Sequence, residues 1–282
     1  MPNTDALLRA AVSGPADDLT LTLDAAFQGL PDTAHGGTLL AIFDALASSP
    51  GPREIVGHYR RRVPLGAPLK LDVTRSPTGL ACRVLDAAAG VLAEGRVQPS
   101  PPADARGAWA AVDTPLPVSR TCFACGIDNA IGLRARLAFD TDAVGGTWSP
   151  DSRFVGRDGT LATVALTTLL DEAAFWLGAL ATGESGMTTE LRVSVHTGAM
   201  APGAVHIRGE RTDVRPRADD GRYWETRVGA WDEGGQPLAT AAITFVTVRG
   251  AARRLVNGLL DVNPGDVVRR IFPAYTTARP SD

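Results

Sequence analysis

One histidine followed by two glycines is the stretch of this sequence best suited to stabilising negative charge. His35-Gly36-Gly37 stands directly before an apolar segment that is predicted to be a helix. Glycines at a helix N-terminus leave backbone N–H groups uncovered, and the helix dipole adds roughly half a positive charge there. Such a place suits a carbonyl oxygen that becomes negative during attack. A plain tight turn is the alternative interpretation of the same residues.

Acidic residues lie in the middle of two apolar segments. The first predicted helix runs from Gly36 to about Ser48 and carries Asp44, and the second carries Asp171 followed by Glu172. Both helices are apolar on nearly every face, which is typical of buried central helices. A buried carboxylate costs several kcal/mol unless it is paired, protonated or facing a cavity. Two interpretations stay open: a functional acid at a cavity, or an acid that reaches solvent or bonds a backbone amide.

These two helices belong to an internal repeat. Residues 27–47 align with residues 154–174 without a gap. A duplication of one domain explains this match, because self-similarity at a fixed offset is the sequence sign of repeated units. The identical pairs are Phe27/Phe154, Gly29/Gly156, Thr33/Thr160, Leu39/Leu166, Asp44/Asp171 and Ala47/Ala174.

Each half combines one helix with a series of strands. Proline- and glycine-containing turns separate the strand-like segments, so neighbouring strands are joined by short connections. Short connections require antiparallel neighbours, and the pattern therefore predicts α+β domains. The predicted strands are 19–24, 54–62, 69–75, 80–86 and 91–98 in the first half, and 133–139, 188–196, 204–211, 223–231 and 238–248 in the second.

A proline-rich linker separates the halves. Residues 99–118 contain five prolines, Pro99, Pro101, Pro102, Pro115 and Pro117, and this density disfavours helix and central strand. We therefore predict four parts of the chain. They are an N-terminal domain over 1–98, the linker over 99–118, a C-terminal domain over 119–248 and a tail over 249–282.

Composition excludes several classes of function. The 282 residues carry a formal net charge of −3 and a pI of about 5.8, without the basic excess of a nucleic-acid-binding protein. We find no secretory signal and no stretch near the roughly 20 apolar residues needed to cross a bilayer, so no membrane partner is expected. Three cysteines fit a reducing compartment better than a disulfide framework, which predicts a cytoplasmic protein.

Together, these motifs resemble the phenylacetyl-CoA / 4-hydroxybenzoyl-CoA thioesterase superfamily of hotdog proteins. Residues 27–44, with an acid nine residues after His35, are similar to the family signature, and so are residues 56–66 and 122–133. The resemblance covers both halves. It implies a double hotdog, in which two antiparallel sheets each wrap a central helix and join into one continuous sheet.

The resemblance also implies an acyl-CoA thioesterase with one composite site between the halves. In the family's pattern the amide of Gly36 would polarise the thioester carbonyl, while Asp171 or Asp44 would act as nucleophile or general base. Thr188 would assist the acid, and Glu172 is our second choice for the acid.

The two potential sites are expected to be unequal. Where the first half has histidine and two glycines, the second half has Ala162-Thr163-Val164. The site that combines Gly36 with Asp171 should therefore be the working one, and the reciprocal site should be degraded.

Four further residues are predicted to contact the substrate: His35, Gly37, Arg60 and Arg62. The two arginines are included because guanidinium groups match the phosphate oxygens of CoA. A solvated sheet edge is the alternative interpretation for them.

No cofactor and no metal are expected. Cys122 and Cys125 have C-x-x-C spacing, but the sequence has no second cysteine pair, and zinc would need His196 or His206 nearby. We therefore predict a structural turn at these cysteines.

Two other functions stay open. A hotdog hydratase or dehydratase would need a catalytic histidine, for which His35 is the candidate, and a non-catalytic acyl-CoA- or lipid-binding protein would need no acid at all. The sequence does not specify the acyl group, nor whether CoA or a carrier protein bears it. The expected assembly is a pseudo-dimer within one chain or a higher homo-oligomer.

Overall fold

Both halves of the chain contribute strands to one long antiparallel sheet. The computed structural model describes residues 3–48, 51–102, 109–196 and 200–276. Its helices are α1 (Thr4–Ala10), α2 (Gly36–Ala47), α3 (Thr163–Thr182), α4 (Ala252–Leu260) and α5 (Gly265–Arg269). The first strands are β1 (Val12–Ser13), β2 (Leu19–Leu21), β3 (Arg53–Tyr59), β4 (Leu69–Ser76), β5 (Gly79–Leu85) and β6 (Val91–Pro99). The others are β7 (Thr114–Pro115), β8 (Ala138–Phe139), β9 (Ala143–Trp148), β10 (Gly186–Val195), β11 (Val205–Glu210), β12 (Arg215–Pro216), β13 (Tyr223–Trp231) and β14 (Pro237–Thr247).

The sheet is continuous across the two halves. Its order is β1-β2-β4-β5-β6-β3-β10-β14-β13-β11-β9-β8-β7, with β12 beside β13. The halves meet where β3 pairs antiparallel with β10, for example at Val56 opposite Arg192. This confirms the predicted α+β fold with one continuous sheet.

The two central helices cross closely because the first one begins with glycines. A Cβ atom at Gly37 would lie 2.5 Å from the carbonyl oxygen of Thr167, which is shorter than any normal contact. The Thr167 hydroxyl donates a hydrogen bond of 2.7 Å to the Gly37 carbonyl oxygen. The N-terminus of α2 therefore sits directly against the middle of α3, and this crossing brings the two halves of the site together.

The helix α3 differs from one expectation of the sequence analysis. Its 20 residues are long and apolar enough to cross a membrane, so the expectation of no such stretch is wrong. However, 83% of its most apolar window is buried inside the fold. A buried core helix has the same length and composition, and the sheet wrapped around α3 accounts for its apolar faces.

One predicted strand is misplaced. The segment 133–139 was expected to be the first strand of the second half, but only Ala138–Phe139 is extended there. The strand β9, at Ala143–Trp148, pairs with β11 as β2 pairs with β4 in the first half. It contains Gly145 and Gly146. Because glycine weakens strand propensity, the sequence pattern did not predict this strand.

The C-terminal tail packs on the core as far as the structure describes it. Phe272 is fully buried, with its ring centroid 6.4 Å from that of Trp176 on α3. Asn263 bonds both the N–H and the carbonyl oxygen of Val118, which fastens the tail to the end of the predicted linker. Residues 103–108 of that linker and the last residues, 277–282, lie outside the described residues.

Candidate active site

A cavity of about 290 Å³ lies where the N-terminus of α2 meets the middle of α3. Six of the sequence-predicted site residues line it: His35, Gly36 and Arg62 from the first half, and Asp171, Glu172 and Thr188 from the second. The cavity is therefore composite, and neither half could form it alone.

The carboxylate of Asp171 is buried, and its polar neighbours are a hydroxyl, a backbone amide and the imidazole of His35. One oxygen accepts a hydrogen bond of 2.8 Å from the Thr188 hydroxyl, and the other accepts one of 3.1 Å from the Gly37 N–H. Its residue is only 5% exposed, so these bonds offset part of the free energy of burying charge. They also leave oxygen lone pairs that can accept a proton from a water molecule.

The first residue of α2 has no room for a side chain unless Asp171 moves. A Cβ atom at Gly36 would lie 2.8 Å from an oxygen of Asp171. Its N–H has no acceptor in the part of the chain that the structure describes, as is usual in the first turn of a helix. The Gly36 carbonyl oxygen accepts a 2.7 Å hydrogen bond from Tyr59, so the first turn is fixed in position.

Tyr59 is a site residue that the sequence analysis did not single out. Burial, together with the nearby charge of Asp171, raises the pKa of Tyr59 well above its usual value, so its hydroxyl stays protonated. The register of a strand against a distant helix is not encoded in local sequence, and no local signal identified this contact.

His35 caps α2 and lies between two acids. Its Nδ1 atom is 3.2 Å from an oxygen of Asp171, and its Nε2 atom is 3.8 Å from an oxygen of Glu172. Burial lowers the pKa of His35, but hydrogen bonds to the two acids outweigh it and the pKa lies well above its usual value. The Gly37 N–H is shared between Nδ1 of His35 and Asp171. When Nδ1 carries a proton it cannot accept this hydrogen bond, and Asp171 accepts it instead.

Glu172 is oriented by a tryptophan. Its Oε1 atom accepts a 2.9 Å hydrogen bond from the indole N–H of Trp176, one helical turn further on. The other oxygen faces His35, and the residue is 6% exposed. Glu172 therefore lies on the far side of the imidazole from Asp171.

The two cysteines of the C-x-x-C stretch also line the cavity. Cys122 and Cys125 are free and buried. The Cys125 thiol donates to the sulfur of Cys122, which lowers the pKa of Cys122 and, with burial, raises the pKa of Cys125. Sequence reasoning left Cys122 outside the site, although its segment was among those that carried the family resemblance.

The other mid-helix acid has a different environment. Asp44 lies in a buried ion pair, in which Nη2 of Arg53 is 2.7 Å from a carboxylate oxygen and Nε contacts the other. The same Nη2 is 2.9 Å from the hydroxyl of Thr163, the residue aligned with Gly36. Asp44 does not line the cavity. Asp44 therefore has a cation as its partner and lies away from the cavity, and the catalytic role predicted for it as an alternative stays a prediction.

Only some of the residues predicted to contact the substrate line the cavity. Arg62 lines the cavity, whereas Arg60 does not and instead pairs with Glu94 at 2.6 Å. Gly37 is enclosed by α3 and gives its N–H to Asp171, so it supports the site and does not face the cavity.

Comparison with known proteins identifies the fold. No protein-family model matches the chain, and no curated protein matches its sequence. Among solved structures, an acyl-CoA thioesterase II from Mycobacterium marinum is 13% identical with a TM-score of 0.56, covering 87% of this chain and 97% of its own. A hot dog protein of unknown function from Alicyclobacillus acidocaldarius is 11% identical with a TM-score of 0.56, over 88% of this chain and 99% of its own. A variant of the GphF dehydratase is 18% identical with a TM-score of 0.54, over 82% and 93%. The chain is therefore a double hotdog.

Proposed function

We propose that this double hotdog protein is an acyl-CoA thioesterase with a single working site. The observation that carries the proposal is the position of Asp171. Its carboxylate is held by a hydroxyl, a backbone amide and His35, lies next to the uncovered N–H of Gly36, and faces a cavity between the halves. An acid, an oxyanion donor and space for an acyl thioester are the three requirements of thioester hydrolysis.

In the proposed reaction, the thioester carbonyl oxygen binds at the N–H of Gly36. A water molecule attacks the carbonyl carbon and gives one proton to Asp171, which acts as general base. The tetrahedral intermediate then collapses, the C–S bond breaks, and the thiolate leaving group takes up the proton from Asp171, which returns the acid to its ionised form. The products are a carboxylic acid and the free thiol of CoA. The Thr188 hydroxyl keeps Asp171 oriented towards the water throughout.

The charge around the cavity supports a phosphate-bearing substrate. Arg61, Arg62, Arg120 and Arg254 all line it, and Arg62 has no acidic partner among the described residues. Guanidinium groups bind phosphate oxygens in paired hydrogen bonds, which suits CoA. We also propose a cytoplasmic location, since all three cysteines are free thiols.

Release of thiol tests the proposal directly. The full chain is incubated with short, long and aromatic acyl-CoAs and a chromogenic thiol reagent. We expect release of CoA from at least one class of substrate. Tight binding without thiol release from any of them would instead identify a binding protein. In a single turnover in ¹⁸O-water, label found in Asp171 would show that the acid attacked as a nucleophile, because a general base does not exchange its oxygen atoms with the water it activates.

The contact between His35 and Asp171 supports a second candidate function, hydration of an enoyl thioester. Their 3.2 Å separation gives a histidine–acid pair in a fold that a dehydratase also adopts. Incubation with a 2-enoyl-CoA separates the two functions. A hydratase consumes the double bond and releases no thiol, whereas a thioesterase releases thiol and leaves the double bond intact.

A further inference from the structure

Three side chains with different donor atoms converge at the wall of the cavity. A ring nitrogen of His35, a carboxylate oxygen of Glu172 and Sγ of Cys122 all lie within 4.8 Å of one another, and Nε2 of His35 is the nitrogen that faces Glu172. Each residue is at most 6% exposed. The thioesterase mechanism proposed above uses Asp171 and Thr188 and assigns no role to this cluster.

The cluster has the supporting contacts that metal ligands usually have. The Nδ1 atom of His35 faces Asp171 at 3.2 Å, which leaves Nε2 directed at the cluster. One oxygen of Glu172 is bonded by Trp176 at 2.9 Å, which leaves the other directed at His35. A carboxylate behind a ligating histidine, and a donor behind a ligating carboxylate, orient the ligands and fix the tautomer.

We propose that His35, Glu172 and Cys122 bind one Zn²⁺ ion. Nitrogen, oxygen and thiolate sulfur together suit zinc, which is borderline soft, better than magnesium or calcium, which take oxygen. Two ligand atoms on a tetrahedral zinc, at about 2.1 Å from it, are about 3.4 Å apart. The 3.8 Å between Nε2 and the Glu172 oxygen is close to this separation. Because all three residues line the cavity, water can supply the fourth ligand.

This site revises the expectation for the C-x-x-C stretch. The sequence analysis looked to His196 or His206 for the missing ligands, but both lie elsewhere. His196 is 3.0 Å from the Thr240 hydroxyl, and the His206 ring stacks on Trp109. The other two proposed ligands come instead from the start of α2, at His35, and the middle of α3, at Glu172. These two positions come together only when the chain folds.

Metal binding by the full chain tests the proposal without any substrate, so its result is independent of the thioesterase assay. The chelator-treated protein is titrated with Zn²⁺ by calorimetry, and separately with Co²⁺ followed by absorption. We expect one ion per chain, and a thiolate-to-cobalt charge-transfer band in the near ultraviolet.

Two pairs of variants locate the site. Cys122→Ser should weaken zinc binding at least about 100-fold and abolish the cobalt band, while Cys82→Ser, in a buried cysteine of β5, should do neither. Trp176→Phe should weaken binding about 10–100-fold through Glu172. The matched control is Trp148→Phe, whose buried indole bonds a carbonyl oxygen of Leu133 instead.

Thermal melts show which variants are folded. If Cys122→Ser does not fold, the tryptophan pair decides the question. Equal zinc affinity in wild type and Cys122→Ser, equal losses within either pair, or a cobalt complex without the charge-transfer band would overturn the proposal.

Discussion

Asp171 and Asp44 occupy the same position in the repeated helix, yet their partners differ in kind. Asp171 contacts a hydroxyl, a backbone amide and the imidazole of His35 and faces a cavity. Asp44 is neutralised by Arg53, whose guanidinium also bonds the threonine aligned with Gly36. The difference lies in what the opposite half presents to each acid.

This comparison shows how one buried acid can be suited to catalysis while the equivalent acid in the other half stabilises the fold. A charged partner satisfies a buried carboxylate fully and fills the space beside it. A hydroxyl, an amide and an imidazole, which unlike guanidinium can exchange a proton, leave space beside the carboxylate and leave it able to accept a proton. The choice of partner, rather than the acid itself, therefore separates the two sites.

The largest effect is expected from removing the proton acceptor. Asp171→Asn should lower kcat/KM for acyl-CoA hydrolysis by about 10²–10⁴, the range for a general base. Asp44→Asn should retain most of the activity in a folded sample. The measurement is thiol release, with thermal melts on both variants. Equal losses would mean two working sites, and the reverse order would mean that the halves are paired differently from our proposal.

The ion pair should matter to stability instead. Arg53→Met leaves the buried carboxylate of Asp44 without its cation, which typically costs about 3–5 kcal/mol of unfolding free energy. Denaturant unfolding measures the loss, and the double variant Asp44→Leu/Arg53→Met should recover most of it. A single variant as stable as wild type would show that the pair contributes no net stability.

The start of α2 offers a test of the oxyanion donor. Gly36→Ala would place a methyl group 2.8 Å from the Asp171 carboxylate, displacing the acid or the amide. We expect a loss of about 10²–10³ in kcat, as for a missing oxyanion donor. Thr163→Gly, at the aligned position in the other half, should leave kcat near the wild-type value. A loss of similar size there would contradict the assignment of the working site.

The smallest effect is expected at the hydroxyl that orients Asp171. Thr188→Val keeps the shape of the side chain and removes the 2.8 Å hydrogen bond. Hydrogen bonds to charged groups contribute about 1.5–3 kcal/mol, so kcat should fall about 10- to 100-fold. Thr188→Ser should restore most of the rate, and a serine variant as slow as the valine variant would argue against this role.

Regular patterns made the fold largely predictable from the sequence. The apolar runs located α2 and α3, and β13 has its predicted bounds, Tyr223–Trp231. The strand β9 was missed because adjacent glycines interrupt its pattern. Local periodicity indicates which face of an element is buried, and it gives no information where glycine replaces a side chain.

The site was predictable only in part. The repeat and the family resemblance brought Gly36, Asp171 and Thr188 into one hypothesis, and the structure places them together. The contribution of Cys122 depends on a loop that folds back over the first half. That loop is held by long-range bonds such as the one from the Phe123 N–H to the Gln28 carbonyl oxygen, at 2.6 Å. Contacts across such sequence distances leave no local pattern.

The pairing of β3 with β10 also has an evolutionary consequence. In a symmetric homodimer of single hotdogs one gene encodes both sites, so an arginine that silenced one would silence the other. Here the same edge joins two segments of a single polypeptide. In a single chain, each half can therefore change without the same change appearing in the other half. A substitution that would inactivate both sites of a homodimer could then inactivate one site only and stabilise the fold at that position.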